Sequence, residues 1–131
     1  MVGRFPIQPK TLATPFGVWT PAILCEGGSR MLFISGMVAR GVDGKIVGHG
    51  DYGAQTRQVC ENLKAAVEAV GGTLADIMQV TVFVCDIEKF SEIHAVRRTY
   101  FPSDPPASTM VEVSRLVDKE ALIEINAIAV L

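Results

Sequence analysis

The sequence predicts an α/β subunit of the α+β kind, in which two helices cover one face of a mixed sheet and the elements run β-β-β-α-β-α-β-β. Three observations lead there. Two stretches, residues 51–70 and the segment after Asp86, repeat their apolar residues at helical spacing. The other apolar runs are short and bounded by Gly, Pro, Asp or Ser, as strands are. Strands alternating with amphipathic helices place the helices on a sheet. Each helix needs only one covered face, so the second face of the sheet stays apolar and calls for another subunit.

The elements follow in order. Val18 to Cys25 and Met31-Leu32-Phe33-Ile34 are two apolar runs around Gly27-Gly28-Ser29, and they read as a hairpin whose second strand ends at Ser35-Gly36. Asp43-Gly44 marks a turn into a short third strand, Lys45 to Val47. The helix from Asp51 to Val70 carries Val59, Leu63, Ala66, Val67 and Val70 on one stripe. Asp51 can cap its start, and Gly71-Gly72 can end it through a left-handed turn. Met78 to Val84 alternates as a strand, with Val80, Val82 and Val84 on one face and Thr81 and Phe83 on the other. Asp86 can cap a second helix whose stripe is Phe90, Ile93, Val96 or Arg97, and Tyr100, and Pro102, Pro105 and Pro106 stop it. Thr109 to Val113 and Leu122 to Leu131 are two further strands.

Composition narrows the function classes. The 131 residues fit one domain spanning 1–131, 49% hydrophobic and 20% charged. A mean hydropathy of +0.32 is high for so small a domain and points to apolar surface buried between copies. A net charge of -2, with basic residues scattered apart from Arg97-Arg98, argues against nucleic acid as partner or substrate. No apolar run approaches a membrane span, and Pro6 and Pro9 interrupt the N-terminal stretch, which does not read as a signal peptide. Cys25, Cys60 and Cys85 are odd in number and widely spaced, as reduced thiols of a cytoplasmic protein would be. His49 and His94 have no ligand partner at metal spacing, so neither a metal nor another cofactor is expected. Serine-hydrolase, phosphate-loop and zinc-protease motifs are missing.

The candidate catalytic residue is Glu124. It interrupts the almost wholly apolar strand Ala121 to Val130 and shares a face with Leu122, Asn126 and Ile128. Burial of a carboxylate there raises its pKa and makes it a usable acid or base. Read from the residues alone, it is also an edge-strand group facing water or a structural carboxylate. Glu112 beside Met110 reads as a solvated strand residue. Trp19 is the only tryptophan and is either core or cleft wall. Ser35-Gly36 is a place where backbone N–H groups can approach a ligand.

In their order and spacing, Leu32-Phe33-Ile34-Ser35-Gly36, Asp51 with Gln55, Asn62-Leu63-Lys64-Ala65, Val70-Gly71-Gly72-Thr73-Leu74-Ala75-Asp76, Thr81-Val82-Phe83-Val84 with Asp86, Tyr100-Phe101, Pro106-Ala107, Val111-Glu112-Val113 and Ile123-Glu124-Ile125 resemble the RidA/YjgF family over nearly the whole chain. The resemblance implies a chorismate-mutase-like subunit, a homotrimer and three clefts between neighbouring subunits. It also implies hydrolysis of reactive enamines and imines such as 2-aminoacrylate, or of aminomuconate-type intermediates, with release of ammonia. Several such proteins carry an older endoribonuclease label.

The departures fall at the cleft. Pro106-Ala107-Ser108-Thr109 stands where deaminating members have Pro-Ala-Arg-Ser, so the arginine that clamps the substrate carboxylate is replaced by Ser108. A serine has no fixed charge and no bidentate fork. Met110 replaces the family's cysteine, Trp19 its cleft tyrosine, His94 its helix asparagine, and Met37 the glutamine after Ser-Gly. Ser35, Gly36 and Glu124 are kept, and Glu124 matches the acidic residue that orients the attacking water. The expected site is thus Glu124 as catalytic residue with Trp19, Ser35, Gly36, His94, Ser108 and Met110 binding a small metabolite, contributed by two subunits. A more apolar cleft without its anion clamp implies an altered substrate and poor use of 2-aminoacrylate. The alternative is a trimer that binds a small molecule without turnover.

Overall fold

In the computed structural model, which describes residues 3–131, the chain runs β1 (Gly3–Ile7), β2 (Ala22–Glu26), β3 (Met31–Met37), α1 (Tyr52–Glu68), β4 (Ile77–Val84), α2 (Phe90–Tyr100), β5 (Ala107–Glu112) and β6 (Ile123–Val130). Single 3-10 turns at Leu74–Asp76 and Ile87–Lys89 lead into β4 and α2. The main sheet has the order β3-β6-β4-β5. β6 is antiparallel to both β3 and β4, and β5 is parallel to β4, so the sheet is mixed.

The helices form where local chemistry asks for them. Asp51 accepts a hydrogen bond from the Ala54 amide at 2.9 Å, and Gly71 takes a positive φ of 86° beyond the helix end. Val59, Leu63 and Val67 of the predicted stripe are fully buried, while Ala66 and Val70 lie at its margin. They pack on Val80, Val82 and Val84 of β4 and on Ile123, Ile125, Ala127 and Ala129 of β6. Gln55 is buried and fully used: it donates to the Gly48 and Glu120 carbonyls and accepts from the Leu122 amide. Asn62 donates to the Val38 and Arg40 carbonyls, both at 3.0 Å. These two amides therefore anchor α1 to the loops around it.

Three strand expectations need correction. The runs before and after Gly27-Gly28-Ser29 do not form a hairpin. β2 pairs with β1 in a separate two-stranded sheet, and β3 pairs with β6. Gly27, at φ 75°, turns the chain out of one sheet, and the Ser29 and Arg30 amides donate to the Leu131 carbonyl at the start of the other. β1 itself escaped prediction, because its Pro6 suits only an edge strand and its side chains are largely exposed. Lys45 to Val47 forms only a bridge between Arg40 and Ile46 around the Asp43-Gly44 turn. The element order is the expected one, but β1 fills the place assigned to that third strand. Nor does Ser35-Gly36 end β3. It forms an irregularity between Ile34 and Met37, beyond which pairing resumes.

Both helices lie on the face that carries Val80, Val82 and Val84. The opposite face shows Met31 and Phe33, the latter 70% exposed, with Thr81, Phe83, Glu124, Asn126 and Ile128 half-buried or open.

Candidate functional site

Two clusters hold the predicted residues, on opposite faces of the sheet. The first lies beside α2. Phe90, His94 and Arg97 stand at i, i+4 and i+7 and so share a side of the helix. Ser108 and Met110 pair with Val80 and Val82, which puts them on the helix-covered face of β5. Phe16 and Trp19 come from the loop before β2. Together with Ile87 these residues line an open pocket of about 460 Å³.

The loop is held in place by buried bonds. The Thr20 amide donates to the Pro106 carbonyl at 3.1 Å, its hydroxyl donates to the Pro105 carbonyl, and Arg97 Nη2 donates to the Val18 carbonyl at 3.2 Å. Gly17 is needed there, since a Cβ would sit 2.5 Å from the Trp19 ring and 2.7 Å from His94 Nε2. Phe16 meets Trp19 edge to face at 4.5 Å, and Phe90 stacks on His94 at 3.8 Å.

Arg97 is the residue that the sequence reading missed. It is 1% exposed, its Nη2 donates to Ser108 Oγ at 3.0 Å, and its Nε is buried without a partner. No carboxylate faces it among the described residues. Burial lowers its pKa to about 10, opposed only by Cys60, and the group stays charged near neutrality. Position 108 carries no arginine of its own, and a positive charge reaches it from the helix rather than from the strand. The available signal was an arginine on the apolar stripe of α2, three residues after His94.

His94 is 5% exposed, and neither ring nitrogen has a hydrogen-bond partner. Burial and then Arg97 lower its pKa to about 4, offset in part by the Phe90 carbonyl, so the imidazole is neutral. Cys60, behind the pocket, has its thiol pushed up to about 12 by burial and is inert filler. Cys25, Cys60 and Cys85 are all free.

The second cluster lies on the uncovered face. Glu124 pairs with Phe83 and lies directly against Gly36, where a Cβ would come within 2.4 Å of Glu124 Oε2. Ser35 borders an adjacent groove of about 310 Å³ with Phe33, Gln79, Thr81 and Asn126. The structure thus unites Trp19, His94, Ser108 and Met110, and separately unites Ser35, Gly36 and Glu124. Within one chain the sheet stands between them. Glu112 has a structural task instead, accepting from the Ile87 amide at 3.0 Å. Among the described residues no group of three or more His, Cys, Asp or Glu is placed to hold a metal ion.

Comparison with known proteins matches these features to one family. The family model described as Endoribonuclease L-PSP matches residues 12–131. A RutC family protein of Pyrococcus horikoshii is 45% identical over 118 residues, 88% of each chain. A Yersinia pestis protein of the conserved Rid family, YyfB, superposes with a TM-score of 0.89 at 35% identity, covering 98% of each chain. A Mycobacterium tuberculosis member of the YjgF/YER057c/UK114 family superposes at 0.69 with 28% identity over 86% of each chain. The chain belongs to the RidA/YjgF family, with the two helices on a mixed sheet that its relatives share.

Proposed function

We propose that the chain works as a homotrimer and hydrolyses an enamine- or imine-type metabolic intermediate in clefts between subunits. The observation that carries this reading is the half-buried Glu124 carboxylate seated over Gly36, on a sheet face that no helix of its own chain covers. Exposed Phe33 and Met31 on that face supply the apolar surface a partner subunit would bury.

The chemistry needs one base and a water. An enamine first takes a proton from solvent on carbon and becomes an iminium ion. Glu124 removes a proton from water as the oxygen adds to the iminium carbon, which gives a neutral carbinolamine. Glu124 passes that proton to the nitrogen, and as ammonia departs the hydroxyl forms the C=O bond and gives its proton back to Glu124, from which the released ammonia takes it as ammonium. A cytoplasmic setting fits the three free cysteines, and among the described residues no helix is long and apolar enough to cross a membrane. The substrate is a small metabolite rather than RNA, given the net charge of -2.

One observation favours a binder without turnover: Arg97, Ser108 and neutral His94 are recognition groups, and no carboxylate lines the pocket with them among the described residues. The test incubates the purified protein with a panel of imines, enamines and aminomuconates. The hydrolase reading expects consumption by the wild type and none by Glu124→Gln at unchanged trimer mass. A panel left intact by the wild type, with Glu124→Gln altering affinity alone, establishes the binder. A monomer in sedimentation equilibrium at micromolar concentration contradicts both.

A further inference from the structure

We infer that His94 is an acid-sensitive latch: its neutral ring seats Phe16 and Gly17 over the pocket, and protonation of that ring swings them away. The inference concerns the pocket's wall and holds whichever ligand or reaction the pocket serves. His94 is 5% exposed, and both ring nitrogens are buried without a hydrogen-bond partner. The ring stacks on Phe90 at 3.8 Å, and Gly17 lies so close that a Cβ there would come within 2.7 Å of Nε2. The loop therefore closes directly on a polar ring that has lost water and gained no partner.

A neutral ring tolerates that position, whereas a charged one has nothing to meet it. The charged groups that act on His94 are Arg97 and Arg98 of its own helix, and both oppose a second cation. Only the Phe90 carbonyl favours the charged form. The loop brings Phe16 and Trp19, and β5 brings Ser108 and Met110, none of them a carboxylate. Cys60 of α1 stays protonated, its thiol pushed up to about 12 by burial. Water is the remaining way to solvate an imidazolium, and water reaches the ring when the loop moves.

The loop has one place to give way. Thr20 bonds to the Pro105 and Pro106 carbonyls and the Val18 carbonyl accepts from Arg97, so the chain is pinned from Val18 onward. Ahead of that point, the Gly17 carbonyl accepts from the Trp19 amide within the loop itself. Among the described residues, no hydrogen bond ties residues 14–16 to another element. Phe16 is 80% exposed and rests only on the rings of Trp19 and Phe90. The helix cannot yield in its place, because Ile93 and Arg97 on either side of His94 are buried. Opening thus exposes aromatic surface at the pocket and leaves the core intact.

The experiment follows Trp19, the sole tryptophan, by acrylamide quenching as the pH is lowered. Far-UV circular dichroism and the mass in solution are measured on the same samples. The covered ring has its pKa lowered to about 4 against 6.5 for a free one, so the ratio of open to closed loops should rise about a hundredfold from pH 7 to pH 4. Quenching should therefore increase across that window while secondary structure and mass stay constant. His94→Phe, which keeps the stack, should show no increase, and His94→Gln serves the same purpose if the phenylalanine variant fails to fold. Gly17→Ala, whose Cβ would press on His94 and on the Trp19 ring, should show the high quenching already at neutral pH. Glu124→Gln, which removes the carboxylate that the proposed assembly would bring to the pocket, should keep the acid response. Quenching that stays flat in the wild type overturns the proposal. So does an increase that persists in His94→Phe or His94→Gln, or one that coincides with loss of circular dichroism. An acid response lost in Glu124→Gln assigns the titration to that carboxylate and overturns the role of His94. A Gly17→Ala chain with wild-type quenching at neutral pH overturns the seating of the loop on the ring.

Discussion

The two faces of the sheet carry opposite deficits. Beside α2, an open pocket walled by Phe16, Trp19 and Phe90 holds a buried cation with no anion against it among the described residues. On the uncovered face, a carboxylate lies over a glycine with no ion-pair partner among the described residues and with apolar neighbours open to solvent. The pocket can recognise and hold a ligand, and it contains no carboxylate among its lining residues. The open face has a carboxylate that can act as a base, beside a groove with few apolar walls. What each cluster lacks, the other supplies, and one chain cannot join them because its own sheet lies between. The difference teaches that one chain holds the two clusters apart, so a site that used both would need the proposed assembly, with binding on one subunit and acid–base work on its neighbour.

The largest expected effect separates these two tasks. Glu124→Gln removes the base and should lower turnover by ~10²–10⁴-fold while leaving the acid response of Trp19 intact. Gly36→Ala should approach the same loss by a different route. Its Cβ would fall 2.4 Å from Glu124 Oε2, so the carboxylate must swing away, while the exposed position spares the core. A Gly36→Ala protein with full turnover, measured on whichever imine the wild type consumes, would separate Glu124 from the chemistry.

The next effect falls on the pocket. Ser108→Arg places a second guanidinium against Arg97, now 3.0 Å from Ser108 Oγ. It should destabilise the protein by about 1–3 kcal/mol, read as a lower melting temperature. An unchanged melting temperature would mean that the buried charge is less isolated than described. Acid should then weaken the same pocket through His94. Its folded pKa, about 4, lies below the ordinary 6.5, so between these values the unfolded chain binds a proton that the folded chain refuses. Stability is therefore full above about pH 6.5 and falls as the pH drops toward 4, by ~3 kcal/mol while the imidazole stays covered. His94→Phe should flatten denaturant midpoints across that window, and a midpoint that rises on acidification would contradict the sign. The smallest effect is a control outside both clusters. Asp51→Ala removes the cap of α1 and should cost about 1 kcal/mol without altering Trp19 quenching or turnover. A change in either would break the division between the two faces.

What the sequence disclosed follows from the range of the interactions involved. α1 and β4 are legible because Val59, Leu63 and Val67, and Val80, Val82 and Val84, write their burial into local periodicity. The partners of β2 and β3 are not, since local pattern cannot distinguish a hairpin from the pairing of Met31 with Val130 across most of the chain. Glu124 stood out as a carboxylate in an apolar strand, and Gly36 beside it through the resemblance. Arg97 was hidden because the comparison asked what position 108 carries. The charge reaches that place through space from another element, and only packing reveals it.

The central claim, that the two clusters face each other across a subunit boundary, is tested most directly by cross-linking. In a chain with Cys25, Cys60 and Cys85 replaced by serine, Met110→Cys and Glu124→Cys mark one cluster each, and a short bismaleimide bridges thiols that come close. The account predicts covalent dimers and trimers from the double variant, and covalent dimers when the two single variants are mixed and allowed to exchange subunits. A double variant that stays a single-chain species after reaction, at a protein concentration where the assembly is intact, would contradict it.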